Sequence, residues 1–210
     1  MFNNFSPNML KTFEACPKKF YFKYIKNISM PVNEDTFEFG KNIHALASYY
    51  LKKENIIKME SSLSEKEKNT WEYLKSINYF KFETIATEYN LSVKLGNYFF
   101  GGRLDALMKD SDGRYWILDY KTGSVPKNAK FDFQTMIYTL AVSYFYKTTK
   151  VSFAYIDLKN KTEYVIELTE ELTDSYREKL ENIANKINIC EFNDAKKANC
   201  HCEYDVICYY

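Results

Sequence analysis

The chain has 210 residues, a formal net charge of +1, and a composition that is 46% hydrophobic and 18% aromatic. That length suits one domain with a real core better than two, and the apolar content excludes a disordered chain. Near-neutrality argues against a general nucleic-acid coat protein, and no apolar run or charged-apolar-cleavage pattern marks a membrane span or leader. The expectation is one domain over residues 1–210, cytoplasmic and without a membrane partner, with no internal repeat.

The chain opens with a helix start. Ser6 suits the N-cap and Pro7 the first turn, with Leu10 and Phe13 on one apolar side. Cys16-Pro17 interrupts the pattern, and Lys18 to Ile25 reads as a second short helix. Residues 1–30 hold Lys11, Lys18, Lys19, Lys23 and Lys26 against Glu14, a basic face suited to a phosphate backbone, although any one of these lysines also fits a solvated helix face. Phe37 to Lys53 is a third helix, on which Gly40 and His44 share a face. Close packing at Gly40 would let His44 approach a neighbouring sheet. A lone helical histidine is more often a packed or surface residue. Residues 64–80 read as a helix with a Ser64/Glu67 capping box and Trp71, Leu74 and Ile77 buried. Glu83 to Leu95 alternates as a strand and includes Glu88, which an exposed strand position explains equally well.

From Gly101 to Gly123 the pattern is two strands about a turn at Ser111-Asp112-Gly113. Carboxylates are rarely placed in strands unless something pairs them. Asp119 and Lys121 are two apart and leave the same face, and a hairpin closing near Asp112-Gly113 brings Asp105 opposite. Two carboxylates with an ammonium suit Mg²⁺ or Mn²⁺, which would neutralise charge at a phosphate and acidify water. A structural ion-pair cluster is the alternative.

A helix is expected near Phe131 to Tyr146, with Gln134 and Tyr138 one turn apart, then strands Val151 to Leu158 and Thr162 to Leu168. An amphipathic helix from about Glu170 to Ile189 buries Leu172, Tyr176, Leu180, Ile183 and Ile187. Acidic residues collect in Glu163 to Glu191. Cysteines cluster late, at Cys200, Cys202 and Cys208, with Cys16 near the start and Cys190 apart, an arrangement that suggests metal or cluster ligation.

GRLD, with its aspartate fourteen positions before that of DYKTG, resembles the PD-(D/E)XK nuclease superfamily. The RecB-like branch, with CRISPR-associated RecB-like exonucleases and the RecB and AddB nuclease domains, is the nearest resemblance. The SPNMLKTFEACPKKFYFKYI opening, Gly40-x-x-x-His44 and Gln134-x-x-x-Tyr138 resemble further motifs of that branch, in the same order along nearly the whole chain. The resemblance implies a restriction-endonuclease-like α/β fold with a central mixed sheet flanked by helices. It implies a metal-dependent DNA exonuclease in DNA processing, repair or CRISPR adaptation. Asp105, Asp119, the Tyr120 carbonyl and His44 would be metal ligands, and Lys121 the catalytic lysine. Glu88 would extend the metal site or bind a catalytic lysine, and Gln134 and Tyr138 would handle substrate. It also implies an iron–sulfur cluster on Cys16, Cys200, Cys202 and Cys208 that clasps the ends of the domain. Cys200-His201-Cys202 departs from the branch's common C-x-x-C, and zinc or a cluster-free relative are the alternatives. No helicase motif occurs, so unwinding would come from a partner, either a helicase or a CRISPR-adaptation protein. The alternative from another class is a non-catalytic DNA-binding or assembly subunit of such a complex, and RNA is an open substrate.

Overall fold

The structure is a computed structural model. It describes residues 1–30, 35–192 and 202–208, and side chains within 35–37 are not described. Six strands form one mixed sheet. In chain order the elements are β1 (Asn4–Phe5), α1 (Pro7–Ala15), α2 (Pro17–Phe20), α3 (Asp35–Leu51), α4 (Ile57–Ser61), α5 (Glu65–Ser76), β2 (Glu83–Leu95), β3 (Tyr98–Lys109), β4 (Tyr115–Lys121), α6 (Phe133–Tyr146), β5 (Val151–Asp157), β6 (Thr162–Glu167) and α7 (Glu170–Ile189).

Local chemistry accounts for most boundaries. Met9 N–H donates to the Ser6 hydroxyl at the start of α1, and the Ser64/Glu67 capping box opens α5. Two expected helices end early. The one expected over residues 64–80 stops at Ser76 because Ile77 turns extended (φ −66°, ψ 145°), and a 3₁₀ turn follows at Asn78–Lys81. The one expected from Lys18 to Ile25 is a single α turn, α2, that relaxes into a π turn at Tyr21–Ile25, with the Lys26 N–H reaching the Tyr21 carbonyl. α6 starts at Phe133, two residues after the expected Phe131, because Asp132 caps it by accepting the Gln134 N–H.

Strand β3 organises the sheet. β2 runs antiparallel along one edge of β3. The other edge is shared, with Ala106–Lys109 pairing antiparallel with β4 and Phe99–Phe100 pairing parallel with β1. Between those two ladders β3 and β4 diverge. β4 continues into parallel β5, and β6 closes the far edge. Helices α1, α6 and α7 cover one face through Leu10, Phe133, Met136, Tyr176 and Leu180. Helices α3 and α5 cover the other through Ile43, Leu46, Trp71 and Leu74. All five apolar residues named for α7 are buried, as its period requires.

Where β3 and β4 part, the alternation of β2 and β3 fails. Leu104 and Leu107 pack into the same apolar layer although a regular strand would put them on opposite faces. Ala86 and Tyr89 on β2 do the same. The register of the ladder shifts between Thr84 and Ala86; Glu88 and Asp105 lie where the faces exchange, and Glu88 is held at φ 50°, a left-handed conformation rare for a glutamate. Such irregularities re-aim side chains, and here both re-aimed side chains are carboxylates.

Candidate active site

The divergence of β3 from β4 leaves backbone groups that side chains take up. The Tyr120 N–H donates to Asp105 Oδ2 at 2.8 Å, so a carboxylate continues the pairing after the ladder stops at Ala106 and Leu118. Farther along the same edge, the Tyr138 hydroxyl donates to the Arg103 carbonyl at 3.1 Å. A Cβ on Gly102 would stand 2.7 Å from that hydroxyl, so only glycine lets α6 come this close.

His44 enters from α3. A Cβ on Gly40, one turn earlier, would lie 3.2 Å from Thr122 Oγ1, which shows how closely the helix approaches the end of β4. His44 Nδ1 lies 3.2 Å from Asp105 Oδ1, and Nε2 lies 2.9 Å from the Tyr120 carbonyl oxygen. With an acceptor at each nitrogen the ring favours the imidazolium form. Burial opposes that charge, but the hydrogen bond and charge of Asp105, then Asp119 and the Tyr120 carbonyl, outweigh it and raise the His44 pKa.

His44, Glu88 and Asp105 each offer a ligand atom, all within 4.8 Å of one another. Two carboxylates and an imidazole form a donor set suited to Mn²⁺ and, with waters, to Mg²⁺. Glu88 Oε2 pairs with Arg103 Nε at 3.0 Å.

Asp119 occupies a neighbouring cluster, on the α6 side. Its Oδ2 lies 2.7 Å from Lys121 Nζ, as their spacing on one face requires, and its Oδ1 accepts from Gln134 Nε2 at 3.1 Å. Lys121 Nζ also donates to Gln134 Oε1 at 2.9 Å and sits 5.5 Å from the centre of the Tyr155 ring. The amide of Gln134 therefore bridges the aspartate and the lysine, and its orientation is fixed by having a cation on one end and an anion on the other. Burial, then the charge of Asp105, push the Asp119 carboxyl up to about 6, although Lys121 and His44 pull the other way.

Tyr138 lies one turn from Gln134 on α6, and the two side chains meet as that spacing predicts. It is only 3% exposed, and its hydroxyl donates to the Arg103 carbonyl. Two residues that composition alone did not single out belong to the cluster. Lys11 pairs with Asp132 at 2.8 Å and points Nζ at Gln134 Oε1, 3.5 Å away. Asp132 also accepts from the Tyr155 hydroxyl at 3.2 Å. An aspartate directly before an apolar helical run is an N-cap signal, and it could have flagged Asp132.

Among the cysteines, Cys16 caps α2, its Sγ accepting the Lys19 N–H at 3.4 Å. The segment holding Cys202 and Cys208 packs on the same unit: Lys19 pairs with Glu203 at 2.9 Å, and the Tyr204 ring stacks on Phe22 at 5.7 Å. Cys200 and His201 lie outside the described residues. Among the described residues, the one compact ligand set is that of His44, not of the thiols.

The raised values give a pH dependence with a definite sign. Asp119 titrates near 6 in the folded chain, against about 3.9 unfolded, so its contribution to stability is full below about pH 4 and is lost as pH rises through 6. His44, also raised, contributes fully below about pH 6.5 and loses that contribution above it. Without metal the fold should therefore weaken from mildly acid to mildly alkaline pH on account of this site. A divalent ion needs the deprotonated groups and should reverse that trend. The thermal shift given by Mn²⁺ is expected to be larger at pH 8 than at pH 5.5, and a shift independent of pH would refute this account.

A sequence profile of the PD-(D/E)XK nuclease superfamily matches residues 4–83 and, overlapping them, 58–209. The chain belongs to that superfamily. A relative, the uncharacterized protein UU146 of Ureaplasma parvum serovar 3, is 26% identical over 145 residues, which are 66% of this chain and 65% of that protein. The chain thus spans less than two thirds of the length of that curated relative. A crystal structure of a "Putative exonuclease" from Eubacterium rectale superposes with a TM-score of 0.56 over 95% of this chain and 91% of that one, at 10% identity. That likeness speaks to the fold alone. The crystal structure of SSO0001 (TM-score 0.47, 16% identity, covering 99% of this chain and 86% of that one) is too distant to carry an argument.

Proposed function

We propose that residues 1–210 form a single nuclease domain of the RecB-like branch that hydrolyses DNA phosphodiesters with Mg²⁺ or Mn²⁺, acting as an exonuclease. The observation that carries the reading is the meeting, at the divergence of β3 from β4, of two adjoining clusters: His44, Glu88 and Asp105, and Asp119, Lys121 and Gln134. An ordinary ion-pair network has no need of a strained glutamate at its centre, and strain of this kind gathers at functional sites.

In this reading Asp105, His44 and Glu88 hold the ion, with Asp119 and the Tyr120 carbonyl beside them. The ion, when bound, supplies charge to offset the phosphate and acidifies water. Lys121 is a cation fixed by Asp119 and Gln134, placed to counter charge that develops on the phosphate or to orient the attacking water. Gln134 holds that lysine and Asp119 in register. An iron–sulfur cluster at the joined ends would act on folding, away from this chemistry. Helicase or CRISPR-adaptation partners would supply unwound DNA.

The test is cleavage of end-labelled linear and circular single-stranded DNA by anaerobically purified protein, with and without Mg²⁺ or Mn²⁺. Wild type should cut linear DNA only with metal, and Lys121→Ala should lose roughly a hundredfold or more of the rate, the usual effect of removing one charge-stabilising donor. Circular DNA should survive. Retained DNA binding without cleavage by wild type would instead indicate an assembly subunit, and equal cleavage by both proteins would mean the lysine is misassigned.

A further inference from the structure

An open groove of about 830 Å³ lies on the α3 side of the sheet, directly beyond the site. Thr122 forms its floor. It lies two residues beyond Tyr120, whose carbonyl meets His44, so the floor is within about 7 Å of that carbonyl by strand rise. Phe39 of α3, the first two turns of α5 and the turn between β5 and β6 complete its lining.

Three ammonium groups rim the groove, from Lys66, Lys159 and Lys161, against the single carboxylate of Glu65. Among the described residues none of the three has an ion-pair partner, whereas Lys11, Lys19, Lys75 and Lys121 all do. They are nevertheless held in place. Lys66 sits 4.6 Å over the Phe39 ring, and Lys161 sits 5.9 Å over that of Tyr73. The turn carrying Lys159 and Lys161 is tied down by buried Asp157, which accepts the N–H groups of Lys159 (3.0 Å) and Asn160 (2.9 Å) and the Asn160 side-chain amide (2.8 Å). Ammonium groups outside any ion pair, pre-positioned beside a partly exposed aromatic ring, suit a single nucleic-acid strand, and the buried Asp157 carboxylate offsets part of the charge of Lys159 alone.

We propose that this groove holds the phosphate backbone of a single-stranded DNA substrate next to the bond being cut. The inference rests on the nuclease reading above and names the surface that feeds its site. An anionic chain complements the rim, and the continuity from Thr122 through Tyr120 to His44 delivers it to the metal ligands.

The test is binding, not turnover. A labelled oligothymidylate is titrated against the full chain carrying Lys121→Ala, which keeps the DNA intact, across a salt series. Adding Lys66→Ala, Lys159→Ala and Lys161→Ala should weaken binding at least tenfold at low salt. It should also flatten the slope of log affinity against log salt by about 2, since each phosphate contact on a single strand contributes about 0.7. The corresponding triple arginine variant should restore both. An unchanged slope in the triple alanine variant would overturn the groove assignment while leaving the nuclease reading standing. Tighter binding of a duplex than of oligothymidylate, lost in the triple variant, would overturn the single-strand assignment. Failure of the parent to bind any DNA would overturn both readings together.

Discussion

Asp105→Asn should lower metal-dependent cleavage by about a thousandfold while leaving the fold nearly as stable as wild type. The two oxygens of Asp105 do different things. Oδ2 accepts the Tyr120 N–H, and an asparagine oxygen can take over that bond. Oδ1 faces His44 within the candidate ligand set, where an amide nitrogen is no substitute for a charged oxygen. A bound metal's charge stabilisation is worth several kcal/mol, or roughly three decades of rate. Asp105→Ala should lose the same activity and in addition leave the Tyr120 N–H without its acceptor, at about 1–3 kcal/mol. Urea unfolding and the Mn²⁺ thermal shift separate the two variants: both lose the shift, and only the alanine variant loses stability. A normal metal shift in Asp105→Asn would remove this residue from the ligand set.

The largest loss of stability from a single methyl group is expected at Gly101. A Cβ there would stand 2.6 Å from Ser92 Cβ and 2.7 Å from the Leu91 carbonyl oxygen. These atoms belong to the paired strand, since Ser92 faces Gly101 in the β2–β3 register, and they cannot swing aside as the end of a flexible side chain does. Gly101→Ala must therefore push β2 from β3 within the longest ladder of the sheet, at about 3 kcal/mol or more, the upper range for overpacking. At Gly102 the obstacle is the Tyr138 hydroxyl, and Gly102→Ala should cost less stability while disturbing the bond to Arg103 that shapes the cleft. Urea denaturation compares the two, and a Gly101→Ala protein within about 0.5 kcal/mol of wild type would show that the strands part freely.

Much of this was legible in the sequence because the signals were local. The shared face of Asp119 and Lys121 follows from strand period alone, and their 2.7 Å contact follows from it. The capping box at Ser64 and the apolar stripe of α7 are likewise properties of short windows. The resemblance to RecB-like motifs pointed to Gln134 and His44, but not to what they touch. What escaped was non-local. β1 is two residues long, too short for any period, and exists because the upper edge of β3 is left open by β4. The exchange of faces at Glu88 and Asp105 was invisible because Glu83 to Leu95 alternates well enough to pass as regular, and a glutamate carries no mark of positive φ. Lys11 read as one of several basic residues until folding brought it to a partner 123 positions away.

The tie between Phe2 and α7 bears on how the site assembles. The Phe2 N–H donates to Asn188 Oδ1 at 2.7 Å, and the Asn188 side-chain amide donates back to the Phe2 carbonyl at 2.9 Å, across 186 positions. β1 and α1, which bring Lys11 to the Gln134 amide, are therefore secured by α7, far along the chain. A partly synthesised chain already contains Asp105, Asp119 and Lys121, yet lacks the brace that fixes their surroundings. Loop closure over such separations is slow. The surroundings of Asp105, Asp119 and Lys121 are thus completed only once α7 has been made and has docked, so the cluster assembles later than the segments that carry it.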